Sequence, residues 1–229
     1  MLDAVLATGQ IPDDSAPQAT KKRYSEKLSA NLALEVADGF RDVGFPGVRP
    51  DRGGPGEKAF QGGLGPKKVD VSYADERNGL LLAVSIKSIN FEPFGKNLKN
   101  RFADLCTESI NLHMRFPYSV ILGFFAFPIQ ADQDLSRQRS SSTFDRATKL
   151  FGSISGRQEY TDPPEKFESF VMMLFQPLTL TGPQPSIRLI DAMSKHELTE
   201  EEYFVKGREI YNLRNPHLAI GEGVNDGDL

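Results

Sequence analysis

The sequence predicts an α/β chain, a sheet sandwiched between helices, and three observations carry that reading. Leu28, Leu32, Val36 and Phe40 recur at helical spacing. Two β-rich runs then flank the turn Asp75-Glu76-Arg77-Asn78-Gly79, a hairpin signal. A second helical stripe (Leu98, Phe102, Leu105, Leu112) leads into the apolar run "YSVILGFFAF", which suits a strand covered on both faces.

In chain order, residues 1–22 read as a flexible arm, 23–220 as one α/β domain and 221–229 as a disordered acidic tail. The first helix is expected over 24–43, with Gly44 as its stop. Residues 49–68, "RPDRGGPGEKAFQGGLGPKK", are dense in Gly, Pro and Lys and read as a mobile loop. They lack the GK[ST] ending of a phosphate-binding P-loop. In the hairpin that follows, period-two geometry puts Val69, Val71 and Tyr73 on one face and Asp70 on the other. Leu82, Val84 and Ile86 share one face of the second strand, with Ser85 and Lys87 opposite.

The second helix is expected over 97–113, and the polar segment 129–142 reads as mobile. Beyond it come a helix near "STFDRATKLFGSI", strands near "FVMMLFQ" and "IRLIDA", and a last helix opened by a capping box of Thr199 and Glu202. "FVMMLFQ" is short enough to read as helix or strand. No internal repeat is present.

With 39% hydrophobic and 25% charged residues, 229 residues describe a globular chain. No apolar stretch reaches the roughly 18 residues of a membrane span, and the N-terminal segment lacks a basic start and is broken by Pro12. A cytoplasmic protein is the expectation, and one cysteine, Cys106, agrees with a reducing compartment. Without a paired histidine in its neighbourhood Cys106 reads as a small buried hydrophobe. His113, His196 and His217 lack zinc-ligand spacing.

Net charge is -4, but it is unevenly spread. Asp3, Asp13, Asp14, Glu222, Asp226 and Asp228 occupy end segments that hold no base, whereas residues 41–101 hold eleven Lys or Arg against seven Asp or Glu. That excess is either a solvated surface or a phosphate-facing patch, for which Lys58, Lys67, Lys68, Lys96 and Lys99 are the candidates.

Lys87 closes the apolar run "LLLAVSIK", where an unpartnered ammonium is expensive to bury. If the hairpin forms, Asp70 converges on it from the neighbouring strand.

At "VDVSYADERNGLLLAVSIK" the chain resembles the PD-(D/E)xK nuclease superfamily, whose fold is that of many restriction endonucleases. In that family a strand acid is followed by an acid-x-Lys motif in the neighbouring strand, often after a helical Glu. Glu35, Asp70 and Lys87 stand in that order, and the likeness covers about residues 24–127. The resemblance implies a restriction endonuclease-like central mixed sheet flanked by helices, and Mg²⁺ (or Mn²⁺) as cofactor. It further implies Asp70 as central metal ligand, the Ile86 backbone carbonyl as a further one, and Lys87 as the water or phosphate contact.

The chain departs from the pattern at Ser85, which stands where the family has its second acid. A subgroup of restriction enzymes with Ser-x-Lys takes the missing carboxylate from the following helix. That points to Glu108 as replacement ligand, with Asp104 and Arg101 in support. Two functions follow. One is a Mg²⁺-dependent DNA endonuclease, of a restriction or antiphage defence system, working as a homodimer or in a larger complex. The alternative is an inactive nuclease-fold module that binds nucleic acid or a partner protein.

Overall fold

The computed structural model describes residues 1–135 and 140–221. The chain begins with helix α1 (Leu2–Thr8) and the long helix α2 (Gln18–Asp42), then a small hairpin of β1 (Lys58–Gln61) and β2 (Pro66–Val69). β3 (Val71–Asp75), β4 (Gly79–Ser88), α3 (Leu98–Arg115) and β5 (Val120–Pro128) follow. α4 (Gln130–Gln133), α5 (Thr143–Gly152), β6 (Ser169–Gln176), β7 (Ser186–Asp191), β8 (Glu197–Leu198) and α6 (Glu200–Arg214) complete the chain, with a 3-10 turn at Pro216–Leu218.

β3 to β8 form one six-stranded sheet in sequence order. The β4–β5 and β5–β6 pairs are parallel and the rest antiparallel, so the sheet is mixed and flanked by helices. Parallel neighbours need a crossover, and α3 provides it between β4 and β5. β5 and β6 are buried along their whole length, which explains why both lack alternation, and resolves "FVMMLFQ" as strand.

Two apolar layers hold the sandwich. On one face Leu82, Val84 and Ile86 of β4 pack with Leu28, Leu32, Val36 and Phe40 of α2 and with Phe204 and Tyr211 of α6. On the other, Ala83, Phe125 and Phe170 pack with Leu105 and Leu112 of α3 and Phe151 of α5. Each of the large aliphatic and Phe side chains among them contributes about 1.5–3 kcal/mol on burial. Gly207 lets α6 approach closely, since a Cβ there would lie 2.9 Å from the Phe40 ring. The capping box at Thr199 and Glu202 is formed.

Four expectations need correction. The first residues are not a loose arm: α1 buries Ala4 and Val5, and Lys27 and Asn31 of α2 bind Thr8 at its end. The apolar residues at i and i+1 were too few to show as a stripe. The Gly-rich segment 49–68 is not wholly a loop, because β1 and β2 pair within it. Their turn is tied to α3 by Gly63 N–H donating to Asn111 O (2.8 Å) and Leu64 N–H to Asn111 Oδ1 (2.6 Å). Val69 does not share a face with Val71. It packs with Leu80 and Ala83 on the α3 side while Val71 packs on the α2 side, because the strand is interrupted at Asp70. The polar segment 129–142 opens with α4, and its residues 136–139 lie outside the described residues. So does the acidic tail, save Gly221.

Candidate functional site

The sequence break at Asp70 positions the site. β3 pairs with β4 only as far as Val71↔Val84, and Ser72 turns its own N–H and C=O away to Arg49. The last residues of β4 therefore keep β5 on one side and have no strand on the other. The Asp70 carboxylate fills part of that gap by accepting the Ile86 N–H at 2.7 Å. The N–H and C=O of one strand residue point to the same edge, so the Ile86 carbonyl also faces the Asp70 side.

Lys87, one residue on, projects to the face that α3 covers. Its Nζ lies 3.1 Å from Glu108 Oε1 and 3.5 Å from Asp70 Oδ2. Glu108 reaches it from the third turn of α3, and Lys67 of β2 pairs with the same carboxylate from the other side. Asp70, Lys87, Glu108 and Lys67 thus form one cluster at the C-terminal end of β4, with Glu108 buried and the other three partly so.

Burial and charge act against each other here. Burial is the largest influence on Lys87 and favours its neutral form, but Asp70 and Glu108 together outweigh it and hold the ammonium above the usual lysine range. Burial would likewise raise Glu108, yet Lys87 and Lys67 reverse it and keep the carboxyl below its ordinary range. Asp70 goes the other way: burial dominates, and Lys87 and the Ile86 N–H offset it only in part, so its carboxyl is raised. Two neighbouring acids are thereby shifted in opposite directions from their ordinary values.

The other residues singled out from sequence are dispersed. Glu35 does not join the cluster. It pairs with Arg52 and with the Met1 amino group (3.4 Å), because α2 turns that position toward α1 and the 49–56 loop. The part of α2 that does border Lys87 lies three turns earlier: Lys22, Ser25, Glu26 and Ser29 line a hollow of about 260 Å³ together with Lys87 and Arg101. Asp104 does not support Glu108; it is exposed and pairs with Arg101 at 3.4 Å, an i, i+3 contact along α3. Ser85 is 3% exposed, beneath the α3 face. Lys58 lies over the Phe60 ring, and Lys68 pairs with Glu57 at 2.7 Å. Lys96 and Lys99 are exposed before and on the first turn of α3.

Sequence reasoning missed a second charged cluster. Glu168, its side chain fully buried, accepts from Arg157 (2.7 Å), Arg214 (3.2 Å) and the Ile121 N–H (2.7 Å), and His113 Nε2 lies 3.6 Å away. Its four contributors are scattered over about a hundred residues, with no spacing to betray them. All of its groups hold the fold together at the start of β5 and β6.

Among the described residues no group of three or more His, Cys, Asp or Glu side chains gathers as a metal cage. The cluster at Lys87 offers a different donor set: the Asp70 carboxylate and the Ile86 carbonyl at the edge of β4, and the Glu108 carboxylate from α3, with Lys87 between the two acids. That set fits Mg²⁺, which takes one or two carboxylates and keeps several waters. No family model, no curated protein and no solved structure matches the chain.

Proposed function

We propose that the chain is a Mg²⁺-dependent DNA endonuclease with a restriction endonuclease-like fold. The observation that carries this is Lys87, an ammonium at the end of a buried strand, held between Asp70 and Glu108. A lysine kept charged between two carboxylates at a sheet edge suits phosphodiester hydrolysis, where negative charge must be both held and offset. Asp70 and Glu108, with the Ile86 carbonyl, would hold Mg²⁺, which when bound stabilises the leaving oxygen and activates a water. For that, Lys67 swings away from Glu108. Lys87 then orients the water or neutralises a phosphate oxygen.

The test is a supercoiled plasmid incubated with purified protein and Mg²⁺ or Mn²⁺, beside an EDTA control. Nicked or linear product that needs both metal and Lys87 supports the reading. An intact plasmid under both metals sinks it.

One observation favours a second reading, a nuclease-fold module that binds nucleic acid without cutting. Lys67 and Lys87 already neutralise both acids, and Ser85 stands where a second strand acid would strengthen metal binding.

A further inference from the structure

Next to Lys87 the surface opens into two adjoining hollows, of about 260 and 310 Å³, which share Lys22, Ser25, Ser88 and Arg101. Together they form a cleft between the N-terminal half of α2 and the chain from Ser88 to Asn97. One wall carries Lys21 and Lys22; the other carries Lys96 and, from α3, Arg101. With Lys87 that makes five cations in the lining, against two acids, Glu26 and Glu92. Lys22 pairs with Glu26 at 3.6 Å, Arg101 with the exposed Asp104 at 3.4 Å and Lys87 with Asp70 and Glu108, whereas Lys96 is exposed and has no carboxylate within ion-pair distance among the described residues.

The floor differs from the walls. The Phe91 ring lies there with Lys21 Nζ 5.3 Å from its centroid. Beneath it the buried Asn90 amide donates to Ser25 Oγ (3.0 Å) and Ser88 Oγ (2.9 Å) and ties α2 to the end of β4.

We infer that this cleft binds a single nucleic-acid strand running on from the Lys87 centre, its phosphates gripped by Lys22, Lys96 and Arg101. The inference rests on the reading of that centre as a nucleic-acid site. Cations on two facing walls reach one phosphodiester chain from both sides, and an aromatic ring between them is a group on which a base stacks. In a duplex the bases are stacked inside and could not meet that floor without strand opening. The cleft therefore selects a strand that is unpaired beside the scissile position.

Fluorescence anisotropy with a labelled mixed-sequence 16-nucleotide strand, free or annealed to its complement, tests this in EDTA, where no metal-dependent cutting occurs. The free strand is expected to bind at least about tenfold more tightly than the duplex. Lys22→Ala with Lys96→Ala should weaken that binding several-fold. It should also flatten the dependence of log affinity on log salt by about 0.7 for each lost phosphate contact. Circular dichroism checks that the doubly substituted protein is folded, which two exposed side chains should allow. Duplex binding equal to or tighter than strand binding overturns the inference, as does an unchanged salt slope in the folded variant. A wild-type protein that binds the strand through Lys22 and Lys96 but never cuts plasmid fails the nuclease reading and keeps the cleft. Cutting with no change in strand binding on substitution does the reverse.

Discussion

Lys87 Nζ stands 3.1 Å from Glu108 Oε1, across the gap between the end of β4 and the middle of α3. The same nitrogen lies 3.5 Å from Asp70, so one ammonium serves two carboxylates. At that range each attraction far exceeds its value in bulk water, and each acid left without the lysine would face the other's charge. The apolar run tolerates its terminal lysine because both partners are brought to it by separate elements, the β2–β3 break and α3.

Lys87→Met keeps the buried stem and removes the charge. Cleavage of plasmid should fall by at least about a hundredfold, the scale of a lost acid, base or positioning group. Stability should fall by about 1–3 kcal/mol, less than a fully buried broken pair costs, since Lys87 and Asp70 are partly exposed and Lys67 still serves Glu108. Cutting at the wild-type rate by a folded Lys87→Met protein would show that the lysine has no part in the reaction.

Asp70→Asn should leave the fold nearly intact, because the amide oxygen can still accept the Ile86 N–H. It removes the charge that Mg²⁺ needs. Calorimetry should find Mg²⁺ affinity lowered by about tenfold or more and cleavage lost with it. Unchanged affinity would remove Asp70 from the ligand set.

Much of this was legible in the sequence. The stripe Leu28–Phe40, the turn at 75–79 and the uninterrupted run 120–127 are each local signals, and local signals survive into the fold. The nearness of Asp70 to Lys87 was expected from strand alternation, although the strand breaks at Asp70 and the carboxylate comes from the sheet edge, and Glu108 was pointed to by the resemblance to enzymes that draw an acid from the following helix. Glu35 failed because a helix period says which residues flank a stripe, not which loop will lie against them; Arg52 and the N-terminus decide that. Lys67 was legible as a base but not as a partner of Glu108, since the β1–β2 hairpin hides in Gly-rich sequence and is held by tertiary bonds to Asn111. The Glu168 cluster had no local signal at all.

Glu108→Ala should abolish metal-dependent cleavage, and adding Ser85→Glu should restore part of it. Ser85 lies two residues before Lys87 on the same face, so a carboxylate there enters the space under α3 that the first substitution clears. Full activity in Glu108→Ala alone would show that the helix supplies no ligand. Activity in Ser85→Glu but never in wild type would identify a binding module.

Glu168→Gln should cost about 3–5 kcal/mol, since it leaves Arg157 buried beside a neutral group. Burial raises the Glu168 carboxyl, but His113, the Ile121 N–H and Arg157 overcome it and the net shift is downward. Its stabilisation is therefore present above the ordinary Glu value, about 4.3, and lost as pH falls through its lower folded value. Urea titrations across that window should show a shallower acid decline in Glu168→Gln than in wild type. Parallel declines would mean that other carboxylates set the acid limit.

The opposed shifts of Asp70 and Glu108 give the two acids opposite effects on stability as pH falls. Asp70, raised mainly by burial, destabilises the fold when ionised, and that burden disappears as pH falls through its folded value. Glu108, held low by Lys87 and Lys67 against burial, stabilises the fold above the ordinary Glu value and loses that contribution only at lower pH. Asp70 should therefore take its proton above the ordinary Asp value of about 3.9, and Glu108 below the ordinary Glu value of about 4.3. Carboxyl ¹³C NMR can follow both groups. In Lys87→Met each loses an attractive charge, so both should titrate at higher pH than in wild type. If Asp70 in that variant titrates at or below its wild-type position, Lys87 is not the charge that holds it, and the centre is not coupled as the distances require.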